Sequence, residues 1–415
     1  MNKPHGNKMT RLRAFTKIFE LAKLPPNAVA VEDKLVAGVV GVFFESHDFV
    51  DFQDAVTLLH EDDKALSESF GWEGFKSAAL RDIKALKIEG RAPTKDDVCA
   101  FFKKMLLIPR VDFSIFREVA GVTIDTPGPL DLGPFRIYRR DRHQAELSAD
   151  SHAKEGLFVD AGDYLIRVVV SARDSNFAME LAEEQFLRFD HIIAFILGHQ
   201  NQPHHVSASR PGGQARVKSY MATESAAMHG VKRATKGGPI RLDADDIADF
   251  EGNGLIWEVL SSLSRTKMQE RVLLAIEWLG QAQLEMSRAN AMLKAAIATE
   301  ILFNLRRDPI GPSISNQIAE TMAHVLGGSV GGKLVIEREM KRLYGLRSDV
   351  THRGAVNFDE GDIRLLMAFA SDAIMKLLTL APYKDFKSEE QLVEHLNIIK
   401  YSAPPPQRVA RITEG

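Results

Sequence analysis

The stretch that decides the fold of the carboxyl-terminal region is LYGLRSDVTHRG, residues 343–354. Around it, apolar residues recur at the three- and four-residue spacing of one helix face: Ile336, Met340, Leu343 and Val350. This spacing predicts a helix over 333–351, ended by Gly354 as a left-handed C-cap. Arg347 falls on the same stripe, where an apolar residue is expected. Its guanidinium must therefore meet an anion or a partner surface, because an unpaired buried charge is strongly disfavoured.

His352 lies five residues after Arg347, in the last turn of the predicted helix. At about 100° per residue the two side chains are roughly 140° apart around the axis, so they do not share a face. Ser348 does share the face of His352 and is placed to hydrogen-bond it, whereas Asp349 is placed to form a surface pair with Arg353. Histidine transfers protons near neutral pH, which makes His352 a candidate acid or base.

An arginine and a histidine at this spacing, written RSDVTH over 347–352, resemble the Arg-x4-His motif of the HEPN superfamily, and more narrowly that of the Apea-like HEPN ribonucleases. The segment RVLLAIEWL, residues 271–279, is similar to the first helix of that family. The segment ATEILF, residues 298–303, is similar to its second helix. The resemblance covers about residues 266–385 and implies an all-α HEPN helical bundle.

The resemblance implies an endoribonuclease that needs no metal and no cofactor. RNA carries its own nucleophile, the ribose 2′-OH, so cleavage requires a base, an acid and positive charge at the phosphate. His352 would move the proton, and Arg347 would stabilise the charge that develops on the phosphate. HEPN ribonucleases build their cleft from two copies of the motif, which implies a homodimer or higher homo-oligomer. The implied setting is antiviral defence or toxin-like growth arrest, with RNA as the partner.

Several further residues are candidates for supporting roles. Glu300 matches the acidic residue of the family's second helix, so it either orients Arg347 for catalysis or simply neutralises it for stability. Ser348 and Asp349 depart from family members with Asn, Asp or His after the arginine, although Arg-Ser suits the Apea-like branch. Phosphate contacts are assigned to Arg306, Arg307 and Arg353. Basic residues near helix ends are also favoured by the helix dipole alone.

Composition sets the class of the protein. With 415 residues, 45% hydrophobic and 26% charged, the chain is long enough for two or three domains. Its formal net charge of −3 gives no global basic field, so nucleic acid must be bound by a local patch. The single cysteine, Cys99, excludes an intrachain disulfide and a multi-thiolate zinc site, which predicts a reducing, cytoplasmic location. The apolar run 35–44 is too short to span a membrane, and no signal peptide is indicated.

The predicted fold class is α+β, in four segments. Residues 1–107 form a helical region that includes 35–44, and 108–250 form a middle domain with a small antiparallel sheet and a helix over 176–197. Residues 251–390 form the HEPN-like bundle, and 391–415 form a tail. The predicted strands are 111–119, 122–124, 135–138, 157–159 and 164–170. The predicted bundle helices are 255–263, 268–286, 291–306, 314–326, 333–351 and 360–380.

The segment 199–241 is the most basic part of the sequence. It contains one acidic residue, Glu224, and seven basic residues: Arg210, Arg216, Lys218, Lys232, Arg233, Lys236 and Arg241. This balance suits contacts along an RNA backbone. It equally suits a hairpin around 211–213 with a soluble loop. Histidines occur at 47 and 60, with acids at 61–63, and three more lie at 199, 204 and 205. A solvated acidic loop explains the first group, and no carboxylate or cysteine has ligand-like spacing near the second, so no metal site is predicted.

Three functional hypotheses follow from the sequence. The first is a HEPN ribonuclease whose residues 1–250 sense an activating trigger or partner protein. The second is a non-catalytic HEPN dimer that binds RNA or a nucleotide, with Arg347 as an anion clamp. The third is an interaction scaffold in which Arg347 forms a structural ion pair.

Overall fold

The computed structural model describes residues 10–24, 35–37, 41–151, 161–199, 206–208, 218–223, 226–232, 239–248, 252–304, 313–354 and 357–401. The chain divides into two compact units. The first comprises residues 1–115 and 168–185, and the second comprises 116–167 and 186–415. The α+β class is confirmed, with many helices and a small antiparallel sheet.

Five helices form most of the first unit: α1 Arg11–Leu21, α2 Phe49–Glu61, α3 Lys64–Ser67, α4 Trp72–Ile88 and α5 Lys95–Leu107. Their core is aromatic, with the ring of Phe101 5.4 Å from that of Phe15 and 5.3 Å from that of Phe75. A capping box at Thr94 and Asp97 fixes the start of α5.

The prediction of helix through 35–44 is wrong. Leu35–Ala37 (β1) and Phe43–Glu45 (β2) are two antiparallel strands instead. The run LVAGVVGVFF is rich in valine, whose branched side chain favours strands, and it contains two glycines that weaken helices. Its apolar residues follow no helical period, so hydrophobicity alone was a poor guide here.

The sheet has four strands in the order β3, β7, β6, β5. They are β3 Val111–Glu118, β5 Leu130–Leu132, β6 Phe135–Arg139 and β7 Tyr164–Ala172. β3 and β7 contribute residues to both units. A two-residue loop joins β5 to β6, and its Gly133 adopts φ 61°, a conformation that favours glycine. Of the other predicted strands, Val122–Thr123 (β4) is present and 157–159 lies outside the described residues.

α6 Gln144–Ser151 lies in the chain between β6 and β7. After β7 come α7 Ser175–His199, strands β8 Lys218–Thr223, β9 Ala226–Lys232 and β10 Ile240–Arg241, and α8 Asp245–Ala248. The helix predicted over 176–197 is confirmed as α7. β8 and β9 form an antiparallel hairpin, and β10 pairs in parallel with β4. These short strands were not predicted.

The carboxyl-terminal helices are α9 Asn253–Ser261, α10 Lys267–Gln283, α11 Arg288–Phe303, α12 Ile314–Leu326, α13 Val330–Arg353, α14 Glu360–Thr379 and α15 Glu389–Tyr401, with a 3₁₀ turn at Tyr383–Asp385. All six predicted helices are confirmed within a few residues. α11 packs against α10, α12, α13 and α14, and α14 packs against these helices and α9, so both lie inside the bundle. α15 occupies the first part of the segment predicted as a tail and packs on α12, whereas 402–415 lie outside the described residues.

In the described part of the chain, no helix is both long enough and apolar enough to cross a membrane.

Helices α7 and α10 of the second unit approach each other closely at Gly280, which allows their packing to be tested. A Cβ atom on Gly280 of α10 would overlap the backbone carbonyl of His191 in α7. Gly280→Ala should therefore lower the free energy of unfolding by about 1–3 kcal/mol, the usual cost of overpacking. Gly331→Ala is the matched control, because its added methyl meets nothing within 4 Å. Urea unfolding monitored by circular dichroism measures both, and equal stability of the two variants would contradict the packing.

Candidate functional site

The local structure of α13 follows from its sequence at both ends. The Ser329 hydroxyl accepts a hydrogen bond from the Gly332 N–H at 3.1 Å, which caps the first turn. Gly354 adopts φ 62° and donates its N–H to the Val350 carbonyl at 3.1 Å, so the predicted left-handed C-cap is confirmed. These two caps determine where α13 begins and ends.

Arg347 lies on the buried face of α13, in line with Met340, Leu343 and Val350. Its Nη2 is 3.0 Å from Oε1 of Glu300, near the end of α11. The two side chains are 29% and 25% exposed, so both charges are largely withdrawn from water but still reach the surface. Such a pair compensates for desolvation that neither charge tolerates alone. The predicted proximity of Glu300 to Arg347 is thus present in the fold.

The guanidinium of Arg347 is not fully satisfied. Among the described residues, its Nε is one of the few buried side-chain nitrogens without a hydrogen-bond acceptor. A buried donor without an acceptor is uncommon. Arg347 therefore has one end anchored by Glu300 and retains unused capacity to donate.

Tyr344, one turn before Arg347, completes this cluster. Its hydroxyl donates to the Ala296 carbonyl of α11 at 3.2 Å. Burial raises the pKa of Tyr344 well above its ordinary value, and the negative charge of Glu300 raises it further, while Arg347 acts in the opposite direction. The phenol stays neutral, and it joins α13 to α11 beside the ion pair.

Arg271 of α10 holds the carboxyl-terminal end of α11. Its guanidinium donates to the Ile301 carbonyl and to the Glu389 carboxylate of α15. The backbone next to Glu300 is therefore held by α10 and α15 as well as by α13. Neither Arg271 nor Tyr344 was predicted as part of the site. The sequence signal that could have identified them is a polar residue within the apolar pattern of a helix, as at Arg347.

His352 lies in the last turn of α13 and is exposed. In the described part of the chain no hydrogen bond joins it to Ser348. The predicted surface pair is confirmed, with Arg353 Nη1 3.3 Å from Asp349 Oδ1. Arg347 is partly buried and His352 is exposed, so one chain keeps the two candidate residues apart, as their spacing predicted.

Most of the predicted RNA-contacting cations are not placed by the structure. Arg210, Arg216, Arg233, Arg306 and Arg307 lie outside the described residues, as does the hairpin predicted around 211–213. Lys218 and Lys232 are described at the backbone only, where they are paired across the β8–β9 hairpin. Arg353, on the exposed end of α13, is the remaining member of the set.

Two histidines considered for metal binding have other surroundings. His60 is buried, and its Nε2 lies 2.7 Å from the Phe70 carbonyl, which gives it a structural role. His47 is exposed and lies between Glu45, 3.5 Å from Nδ1, and Asp48, 3.3 Å from Nε2. Among the described residues these three form the one group with metal-like spacing, within 4.8 Å. Since Lys23 also pairs with Glu45, ordinary surface ion pairs explain the group.

The arrangement around Arg347 is a guanidinium paired with a carboxylate, beside a neutral phenol. No family model, no curated protein and no solved structure matches this chain. The function is therefore inferred from these residues and their geometry.

The two ion pairs of α13 provide a matched comparison of stability. Glu300→Ala leaves a partly buried guanidinium unpaired, and should lower the free energy of unfolding by about 1–3 kcal/mol. Asp349→Ala removes an exposed pair and should change it by at most about 0.5 kcal/mol. Urea denaturation of both variants measures the difference, and equal effects would show that the Glu300–Arg347 pair contributes no more than a surface pair.

The raised pKa of Tyr344 predicts a specific pH dependence. Its stabilising contribution is fully present below the unfolded-state pKa of about 10 and is lost as pH rises toward the higher folded-state pKa, because only the unfolded chain ionises readily. As the pH rises from about 9 to 11, the free energy of unfolding of Tyr344→Phe should therefore fall by less than that of the wild type. Urea denaturation at a series of pH values measures both proteins, and an equal fall in the free energy of unfolding over that range would contradict the raised pKa of Tyr344.

Proposed function

We propose that this chain is a metal-independent endoribonuclease of the HEPN type, acting in the cytoplasm in antiviral defence or toxin-like growth arrest. The observation that carries the proposal is Arg347, anchored by Glu300 on an otherwise apolar helix face and left with unused donor capacity. The exposed His352 ends the same helix. A fixed guanidinium and an accessible imidazole are the two groups that RNA cleavage through the 2′-OH requires.

In the proposed reaction a base takes the proton of the 2′-OH, and the 2′ oxygen attacks the adjacent phosphorus. The bond from phosphorus to the 5′ oxygen then breaks, and an acid delivers a proton to that oxygen. The products are a 2′,3′-cyclic phosphate and a 5′-OH. His352 carries out proton transfer, and Arg347 stabilises charge on the phosphate. Because each chain supplies a single motif histidine, the second proton transfer is assigned to His352 of the partner subunit in a homodimer.

The remaining parts of the chain receive roles within the same proposal. The basic segment 199–241 follows the RNA backbone, with affinity that falls as salt rises. Residues 1–250 sense an activating trigger or partner protein. Glu300 holds Arg347 in position, and Ser348, Asp349 and Arg353 border His352 on the exposed end of the helix.

The proposal predicts RNA cleavage that persists in EDTA and depends on His352. His352→Ala should reduce the rate by about 100-fold or more, the usual contribution of a general acid or base. His47→Ala is the matched control, since it removes another exposed histidine and should leave the rate unchanged. Sequencing the ends of total RNA after incubation with each protein measures both the rate and the chemistry. Cleavage by His352→Ala at the wild-type rate would overturn the assignment of that residue.

The Glu300–Arg347 pair also favours a second candidate, an interaction scaffold in which the pair is purely structural. In that case Arg347→Ala lowers thermal stability and leaves RNA affinity unchanged. The ribonuclease proposal instead predicts that Arg347→Ala abolishes cleavage at temperatures where the variant is folded. RNA binding without any turnover by the wild type would identify a non-catalytic RNA-binding dimer.

A further inference from the structure

A cleft of about 350 Å³ lies in the second unit, between α9, α10, the carboxyl-terminal end of α14 and the 3₁₀ turn Tyr383–Asp385. The residues that line it fall within 255–386 and do not include Arg347, Glu300 or His352. Its volume is that of a small-ligand pocket, at the lower end of the usual range. The cleft is therefore separate from the candidate site around Arg347 and can hold one small molecule.

The apolar part of the lining comes from three helices: Leu255, Val259, Met268, Val272 and Leu377. All of these except Leu255 are at most 9% exposed. Protein interiors are usually packed without empty spaces of this size, and apolar surface that faces water is unfavourable. An apolar group from a ligand would fill the space and remove this surface from water.

Tyr383 and Phe386 add an aromatic wall that is held in place by α15. Their ring centres are 5.9 Å apart, and the ring of His395 in α15 lies 5.3 Å from that of Tyr383 and 5.4 Å from that of Phe386. Tyr383 is 8% exposed, and in the described part of the chain its hydroxyl has no hydrogen-bond partner. Buried tyrosine hydroxyls usually have one. Burial raises the pKa of Tyr383, so the phenol stays neutral and keeps an unused donor beside the cleft.

Three charged residues also line the cleft: Glu258 of α9, and Lys384 and Asp385 of the 3₁₀ turn. All three are exposed, and among the described residues none of them forms an ion pair. Lys384 and Asp385 are consecutive, and their N–H groups donate to the Leu380 and Pro382 carbonyls at 3.0 and 3.1 Å. The turn therefore holds a cation and an anion side by side at the cleft, and the two do not neutralise each other.

We propose that this cleft binds a free α-amino acid with a large apolar side chain. Such a molecule carries an ammonium and a carboxylate on one carbon, which matches the neighbouring charges of Asp385 and Lys384. Its side chain enters the apolar space between α9, α10 and α14. Glu258 supplies a second acceptor for the ammonium, and the Tyr383 hydroxyl donates to the carboxylate.

Other ligand classes fit these residues less well. A purely cationic ligand leaves Lys384 without a partner, and a purely anionic ligand leaves Glu258 and Asp385 without one. The two carboxylates also repel a nucleic-acid backbone. The amino-acid site does not depend on the proposed ribonuclease function.

Isothermal titration calorimetry of the full chain with three indole compounds tests the charge preference. L-tryptophan carries both charges, tryptamine carries only the ammonium, and indole-3-propionate carries only the carboxylate. Tryptophan should bind roughly tenfold or more tightly than either of the others, because each of them lacks one charged hydrogen bond. A dissociation constant for tryptophan above about 1 mM would overturn the site. Equal affinities for tryptophan and tryptamine would overturn the amino-acid class.

Two charge variants assign the two ends of the ligand. Lys384→Gln should lower the affinity for tryptophan to that for tryptamine and leave tryptamine binding unchanged. Asp385→Asn should weaken both of these ligands by roughly threefold or more, because Glu258 remains, and leave indole-3-propionate binding unchanged. Lys387→Gln and Glu270→Gln are the matched controls, since each residue is exposed and adjacent in sequence to a lining residue without lining the cleft. Control variants that weaken tryptophan binding as much as the test variants would overturn the assignment.

Filling the cleft tests where the ligand lies. Val259→Phe enlarges an apolar lining residue and should abolish tryptophan binding. Val330→Phe is the matched control, because Val330 is 73% exposed on α13 and lies outside the cleft. Thermal unfolding with and without tryptophan measures both folding and binding, since a ligand of the folded state raises the Tm. A folded Val259→Phe whose Tm rises with tryptophan as much as that of the wild type would overturn the cleft as the binding site.

Tyr383→Phe tests the hydroxyl without adding volume. It should weaken tryptophan binding by about threefold to tenfold, because one hydrogen bond to the carboxylate is lost. Its effect on tryptamine, which has no carboxylate, should be absent. Titration of both ligands measures the difference, and equal effects on the two would overturn the contact between the hydroxyl and the carboxylate.

Discussion

The ion pair between Arg347 and Glu300 is the interaction on which the candidate site depends. A guanidinium on the apolar face of a helix is tolerated only when a fixed counter-charge replaces the water it has lost. Glu300 supplies that charge from the last turn of α11. Arg271 holds the adjacent Ile301 carbonyl and joins it to α15, so three helices determine where the carboxylate lies. The orientation of Arg347 is therefore set by the fold and needs no ligand.

Tyr344 shows the electrostatic consequence of the same arrangement. Its hydroxyl lies in a region with little water, close to a carboxylate, and its raised pKa records how unfavourable an additional negative charge is there. The positive charge of Arg347 acts on the phenol in the opposite direction, and Glu300 pairs that charge at 3.0 Å. Burial strengthens both effects, since charges interact more strongly away from water.

The sequence predicted the bundle well because most of its helices combine a periodic apolar stripe with a capping residue, as at Thr266, Ser287, Ser313 and Ser329. It failed at 35–44, where a valine-rich run has no period, and at α15, whose partner helix lies far away in the chain. The Arg347–Glu300 pair was anticipated because Arg347 interrupts an apolar helix stripe and Glu300 matches the acidic residue in the second helix of the family that the sequence resembles. The supports Arg271 and Tyr344 were not predicted, because they donate to backbone carbonyls, which no side-chain pattern in the sequence marks as partners.

Helix geometry limits how Arg347 and His352 act together. Their spacing of five residues places them on different faces, and the cap at Gly354 fixes the last turn through its bond to Val350. Turning His352 toward Arg347 within one chain would unwind that turn, lose the cap and expose the Val350 side chain. Bringing a second helix end alongside requires none of these losses. In the proposed ribonuclease, the same separation of Arg347 and His352 is the reason that the second proton transfer is assigned to a partner subunit.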